Sequence, residues 1–276
     1  MTFCPSEFFA STLERSAFTP DRVEVYKSTT NADGAPVDLR MHLFFPAGQV
    51  PGTPVPGIVF FFGGGWLRGT PEQFYPHCRY LAERGMVAAS AEYRTENEHG
   101  TPPEACVADG ITALTWMHAQ SKALGITSDQ LLAGGGSAGG HVAAATALLS
   151  GFREAEEEGP YHPKALILFN PVLDNSPAGY GHDRVPEPWE SFSPLHNVGS
   201  AAPPTIIFLG DQDALIPVST CESFRDLIAE TGVLSRLHVY PGQTHGFFNW
   251  GSRPMFIETV TAMDAFLTEL GYLPPQ

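Results

Sequence analysis

Short apolar runs that stop at glycine, each followed by a stretch of helical periodicity, recur along this chain and leave little choice of architecture. Ile58 to Phe62 is the sharpest of them, five apolar residues running straight into Gly63, Gly64 and Gly65. A run without alternation must be buried on both faces, as in the middle of a parallel sheet. A helix is predicted over Pro71 to Arg84 with Gly85 as its stop, then a strand over Met86 to Glu92. Pro103 to Leu124 reads as a long amphipathic helix with Val107, Ile111, Leu114 and Met117 or His118 on one face. The alternation continues with a strand at Leu131 to Ala133, an alanine-rich helix from Ser137 to Leu149, and strands at Ala165 to Phe169 and Thr205 to Leu209. A helix over Thr220 to Glu230, a strand over Arg236 to Tyr240 and a helix over Met255 to Leu270 complete it. At the front, Val23 to Ser28 and Asp38 to Phe45 form a hairpin about the turn signal Asn31-Ala32-Asp33-Gly34. The expectation is an α/β fold: eight strands, mostly parallel, with an antiparallel start and helices on both faces.

The whole chain, residues 1–276, reads as one domain, since α/β folds often reach ~250 residues as a unit. The one long irregular stretch, Asn170 to Pro203, is too small to be a separate lid domain, and a loop of that length is usually functional. A net charge of −15 argues against nucleic acid or an anionic membrane surface as a partner, because both require positive charge. No apolar run approaches the ~20 residues of a membrane span. Met1 to Arg15 lacks the basic start and apolar stretch of a signal peptide; a chain trimmed of one would look the same, which leaves the compartment open and the protein soluble. Cys4, Cys78, Cys106 and Cys221 are scattered without zinc-site spacing, and no metal or cofactor is expected. Oligomeric state is not legible.

Gly135-Gly136-Ser137-Ala138-Gly139 sits between a predicted strand and a predicted helix. A sharp strand-to-helix turn lifts its central residue clear of the sheet only if the neighbours are small, as they are here. The helix start behind Ser137 adds free N–H groups and partial positive charge where an oxyanion would form. A serine hydroxyl is a weak nucleophile at neutral pH, so it needs a histidine base that is itself oriented by a carboxylate. In such folds the chain order is Ser, then Asp or Glu, then His. Asp211 and Asp213 both follow the strand at Thr205 to Leu209, and His245 follows the last strand, next to a glycine. Asp213, further into its loop, is preferred for the acid; Asp211 is assigned to loop backbone. His77, His118 and His141 fall in helices and are not candidates.

Phe62-Gly-Gly-Gly65-Trp66, the glycines around Ser137, the Asp213 loop with its following Leu-Ile-Pro, and His245-Gly-Phe-Phe-Asn together resemble α/β-hydrolase esterases of the hormone-sensitive-lipase and acetyl or feruloyl esterase neighbourhood. The likeness runs from about residue 22 to 270. It implies the α/β-hydrolase fold, with Ser137, Asp213 and His245 as catalytic residues and the N–H groups of Gly64, Gly65 and Ala138 as the oxyanion hole. One such donor is typically worth ~3 kcal/mol to the transition state. The family usually has histidine where this chain has Phe62, and that histidine braces the loop, so another contact must do so here. Tyr93 and Arg94 resemble the family's structural Tyr-Arg pair beneath the elbow. Trp66, beside the glycines, Val172, at the start of the long loop, and Phe247, after the histidine, are the first candidates to contact substrate, and the aromatics Trp189, Phe248 and Trp250 are further ones for the same pocket.

The implied function is a serine carboxylesterase for short-chain acyl esters. Without a large lid the site should be open, which favours acetyl groups on bulky carbohydrate alcohols of the xylan type as substrate. Feruloyl ester hydrolysis and a formamidase or amidase reaction are the alternatives, and a peptidase is disfavoured by the lack of a gating propeller domain. A non-catalytic binding protein on this fold would have lost serine, acid or histidine, and all are present.

Overall fold

Four strands without an exposed face set the centre of the molecule in the computed structural model, which describes residues 5–10, 18–49, 52–152 and 161–275. The strands are β1 (Arg22–Thr30), β2 (Pro36–Phe44), β3 (Val55–Phe61), β4 (Val87–Ala91), β5 (Ile126–Gly136), β6 (Leu166–Phe169), β7 (Thr205–Gly210) and β8 (Ser235–Tyr240). They form one eight-stranded sheet in the order β1-β2-β4-β3-β5-β6-β7-β8. β1 and β2 pair antiparallel, as do β2 and β4, and every other neighbouring pair is parallel. The expected α/β-hydrolase architecture is therefore present, antiparallel start included.

The helices are α1 (Pro5–Ala10), α2 (Tyr75–Glu83), α3 (Glu96–His99), α4 (Pro103–Ala119), α5 (Ser121–Leu124), α6 (Ala138–Leu148), α7 (Val218–Glu230) and α8 (Arg253–Glu269). Along β3 successive side chains alternate between two cores. Ile58 and Phe60 join a cluster with residues of α2 and α8, while Val59 and Phe61 join one with residues of α4, α6 and α7. Between β3 and β5 the strand order reverses, so the loops leaving both strand ends diverge and open a crevice, the usual ligand position in such sheets.

Several elements depart from the sequence-based boundaries, among them α3, which has no counterpart there, and α2, which starts at Tyr75 after a 3-10 turn over Pro71–Phe74. The helix predicted over Pro103 to Leu124 breaks at Gln120, and Gly125 closes its second piece with φ +70°. β5 is far longer than Leu131 to Ala133, because Val55 pairs with Ile126 and because glycines 134–136 continue the ladder under closely packed neighbours. α1 is not signalled by periodicity; Phe9 is buried against Tyr80, Trp250 and Phe256, so its order comes from tertiary packing. Asn170 to Pro203 remains irregular apart from three single turns, at His182–Arg184, Trp189–Ser191 and Pro194–Asn197. Cys78, Cys106 and Cys221 are buried free thiols, and Cys4 lies outside the described residues. Among the described residues no helix is long and apolar enough to cross a membrane.

Two imidazoles are buried in the cores. His77, in α2, has no hydrogen-bond partner for either ring nitrogen and stands among Phe60, Phe74, Phe169, Phe248 and Phe256. Burial lowers its pKa from 6.5 to about 3. Burial likewise lowers that of His141, in α6, from 6.5 to about 4, a hydrogen bond to the Phe192 carbonyl opposing it. Both rings are thus neutral when folded and take up protons more readily when unfolded. Stability is retained above pH 6.5 and lost as pH falls below it, until about pH 4 for His141 and about pH 3 for His77. Each ring contributes up to ~1.4 kcal/mol per pH unit in that window. Thermal melts of wild type between pH 7.5 and 5 should show a falling midpoint, and His77→Phe should flatten that slope; an unchanged slope in the variant would contradict the assignment.

Candidate active site

The cleft is built where β3 and β5 end. A Cβ on Gly135 would collide with the carbonyl of Gly139, and one on Gly139 with the carbonyls of Phe61 and Phe62. Glycine at both positions lets the start of α6 rest directly on the sheet backbone. The turn between β5 and α6 is correspondingly tight, and Ser137 adopts φ 55° and ψ −122°, a strained conformation for an L residue. Its backbone is fixed from two sides: its N–H donates to the Phe169 carbonyl at 2.9 Å, and its carbonyl accepts the Val172 N–H at 3.1 Å.

The loops after β7 and β8 bring Asp213 and His245 to the same edge. Ser137 Oγ lies 2.9 Å from His245 Nε2, and His245 Nδ1 lies 2.7 Å from Asp213 Oδ2. The Asp213 side chain has no exposed surface, while that of His245 is 24% exposed, so the imidazole alone reaches the cleft. Burial pushes the Asp213 carboxyl up, but the hydrogen bond to His245 and the N–H groups of Leu215 and Ile216 outweigh it and hold the group below its ordinary value. Asp211 turns to backbone instead, accepting the Gly242 N–H at 2.7 Å.

Across the cleft, Gly64 (φ 141°) and Gly65 (φ 66°) form a turn whose Gly64 carbonyl accepts the N–H groups of Leu67 and Arg68. Among the described residues the N–H groups of Gly64, Gly65 and Ala138 have no acceptor, so all three are available to a ligand. A side chain at Gly64 would strike the Arg68 carbonyl, which makes glycine obligatory in this turn. Several contacts replace the brace expected where Phe62 stands. Phe62 stacks on Tyr93 at 4.1 Å, and the Tyr93 hydroxyl donates to the Phe62 carbonyl at 2.6 Å. Arg184 donates to the Gly65 carbonyl at 2.9 Å. Gln73 accepts the Gly63 N–H at 2.6 Å and donates to Asn249 Oδ1 at 2.9 Å; Asn249 in turn donates to the Gly246 carbonyl. Gln73 thereby ties the glycine turn to the histidine loop. Arg94 grips the buried Asp109 of α4 through two nitrogens, and Lys27 of β1 reaches the same carboxylate at 2.6 Å.

The cleft, about 520 Å³, is lined by Arg68, Gln73, Asn97, Tyr180 and Asn249 on its polar side and by Leu67, Leu215 and Phe248 on its apolar side. Of the side chains expected from sequence to contact substrate, Phe248 is on its wall, and Trp66, Val172 and Phe247 are not. Trp66 is 1% exposed: its positive φ of 62° turns the indole inward against His141 and Phe192. Val172 is fully buried behind Ser137, to whose carbonyl it donates. Phe247 packs on Tyr240, and the next residue, Phe248, faces the cleft instead. Side-chain direction in turns is set by local backbone angles, which sequence adjacency does not reveal. Gln73, Asn170 and Tyr180 went unrecognised from sequence; for Asn170 there was a signal, its place between a strand end and a proline.

A profile of the α/β hydrolase fold matches residues 58–188, and one of the dienelactone hydrolase family matches residues 169–268. Esterase 2 of Thermogutta terrifontis, solved in its apo form, is 38% identical and superposes with a TM-score of 0.86 over 92% of this chain and 96% of its own. Its propionate-bound structure matches at 36% identity and TM-score 0.86, over 96% of this chain and 100% of its own. Esterase LipC of Mycobacterium tuberculosis is 28% identical over 225 residues, 72% of this chain and 55% of LipC. The chain thus spans about half the length of the first curated relatives it matches. With more than a third of its residues shared across a whole solved esterase, on the same eight-stranded sheet, the chain belongs to the α/β-hydrolase family, in its hormone-sensitive-lipase-like esterase branch.

Proposed function

We propose that this protein is a serine carboxylesterase in which Ser137 is the nucleophile, His245 the general base and acid, and Asp213 the carboxylate that orients it. The observation that carries the reading is the unbroken line Ser137–His245–Asp213, which meets one cleft opposite three unengaged N–H groups. His245 takes the Ser137 proton as Oγ attacks the ester carbonyl, and the developing oxyanion is held by Gly64, Gly65 and Ala138. His245 then delivers that proton to the leaving alcohol as the carbon–oxygen bond breaks. A water molecule, deprotonated by the same ring, releases the acid and restores Ser137.

For the substrate, a short acyl ester of a carbohydrate alcohol fits best. The cleft is open, and its polar wall of Arg68, Gln73, Asn97 and Asn249 offers donors and acceptors suited to hydroxyl groups. Its apolar surface is limited to Leu67, Leu215 and Phe248, enough for a short acyl chain. Esterase 2 of T. terrifontis has been solved with propionate and with butyrate, acids of that size.

Ser137→Ala should lose p-nitrophenyl acetate turnover by roughly 10⁶-fold with an unchanged melting curve; retained turnover would exclude Ser137 as nucleophile. Rates on p-nitrophenyl acetate, butyrate and octanoate, compared with acetylated xylan, methyl ferulate and N-formylkynurenine, test the substrate. The expected order has acetate and butyrate well above octanoate, with acetate released from xylan; a preference for octanoate, ferulate or the formamide would overturn the short-acyl carbohydrate assignment. Gln73→Ala, which frees the glycine turn from the histidine loop, should lower kcat by about tenfold to a hundredfold. A kcat equal to wild type would show that the other braces suffice.

A further inference from the structure

We infer that Asn170 sets the tautomer of His245, a positioning role that rests on the reading of Ser137 and His245 just given. Asn170 follows β6 and is fully buried, its N–H donating to the Phe208 carbonyl at 2.6 Å. Its φ is 33°, in the left-handed region, and Pro171 comes next. Non-glycine residues are held in such conformations only where surrounding structure enforces it, and they cluster at functional sites.

The hydrogen-bond pattern determines which way the carboxamide points. The Gly246 backbone N–H can only donate, and it donates to Asn170 Oδ1 at 3.0 Å. The other end of the amide, Nδ2, therefore faces His245 Nε2, at 3.3 Å. Nδ2 can also only donate, so Nε2 must present a lone pair. That leaves the ring proton on Nδ1, where Asp213 accepts it at 2.7 Å. Asn170 and Asp213 thus specify the same tautomer from opposite ends of the ring, the one able to take the Ser137 proton.

The contact also acts during turnover. Once the Ser137 proton sits on Nε2, that nitrogen has no lone pair and cannot accept from Asn170 Nδ2 until the proton passes to the leaving oxygen. No proton enters or leaves Asn170 itself. A wrong tautomer in a serine triad costs about 10⁴-fold in kcat, and Asp213 still favours the right one when Asn170 is changed. The expected loss is therefore smaller, in the ~10²-fold range of a general-base contribution.

Asn170→Asp separates this role from simple bracing, because its carboxylate can still accept the Gly246 N–H while residue 170 no longer donates to Nε2, leaving the Ser137 hydroxyl as its donor. We expect kcat to fall about 100-fold with KM within about twofold. Asn170→Ser, a second variant with a smaller side chain, should fall similarly. Wild-type kcat in a folded Asp variant would overturn the inference. The proton is read directly by long-range ¹H–¹⁵N correlation spectra of the full chain labelled at histidine, with His245 assigned by its loss in His245→Ala. With the ring neutral, wild type should carry its proton on Nδ1 alone and the Asp variant should also populate the Nε2-protonated tautomer; a wild-type proton on Nε2 would also overturn it. The spectra need no turnover, so they stand apart from the esterase reading, which fails if wild type does not hydrolyse p-nitrophenyl acetate.

Discussion

The site depends on how closely the start of α6 lies against β3 and β5. With glycine at 135 and 139 the helix backbone rests on the sheet backbone, and the connecting turn has no slack. Ser137 is forced into its strained conformation by that contact, with its hydroxyl raised toward His245 and its neighbour's N–H facing the same space. A helix set further away would allow a relaxed turn, and the hydroxyl and the amide would no longer converge. The strain is retained because hydrogen bonds from β6 and the segment after it hold both sides of the serine peptide. Dense packing beneath makes the arrangement stiff, as interiors yield little to displacement.

Around this fixed point the other parts are tied to one another as well as to the sheet. Gln73 joins the glycine turn to the histidine loop through Asn249, Arg184 holds the turn from the long irregular segment, and Tyr93 holds it from below. Below Tyr93, Asp109 gathers Lys27, Arg94 and the Arg94 backbone N–H, linking the antiparallel start of the sheet to α4. Removing one partner of such a buried ionic cluster typically costs about 3–5 kcal/mol, since the remaining charges are left without compensation. Binding geometry and fold stability therefore share residues in this protein.

Buried polar groups in this protein are satisfied to different degrees. His77 is enclosed by phenylalanines with no partner for either nitrogen, whereas Asn170, equally buried, has every hydrogen-bonding end of its carboxamide engaged with the histidine loop. The first makes folding sensitive to acid. The second uses burial to advantage, because a fixed amide excluded from water discriminates between ring tautomers more strongly than a solvated one could.

The sequence by itself determined the strand and helix order, the mixed eight-stranded sheet and the residues of the Ser137–Asp213–His245 line, because apolar periodicity, glycine punctuation and chain order are local properties of the string. It also anticipated that something other than histidine must brace the loop at Phe62. Only the tertiary structure decided what that brace is, how far β5 extends, and that α1 is ordered, since each depends on partners far away in the chain. The same is true of the cleft wall. Trp66, Val172 and Phe247 stand next to the right residues in sequence yet point into the core, and Phe248, Tyr180 and Asn170 take the positions facing the cleft. Adjacency fixes which residues arrive at an edge; backbone angles of single turns fix which way each side chain looks, and those angles are set by packing across the whole fold.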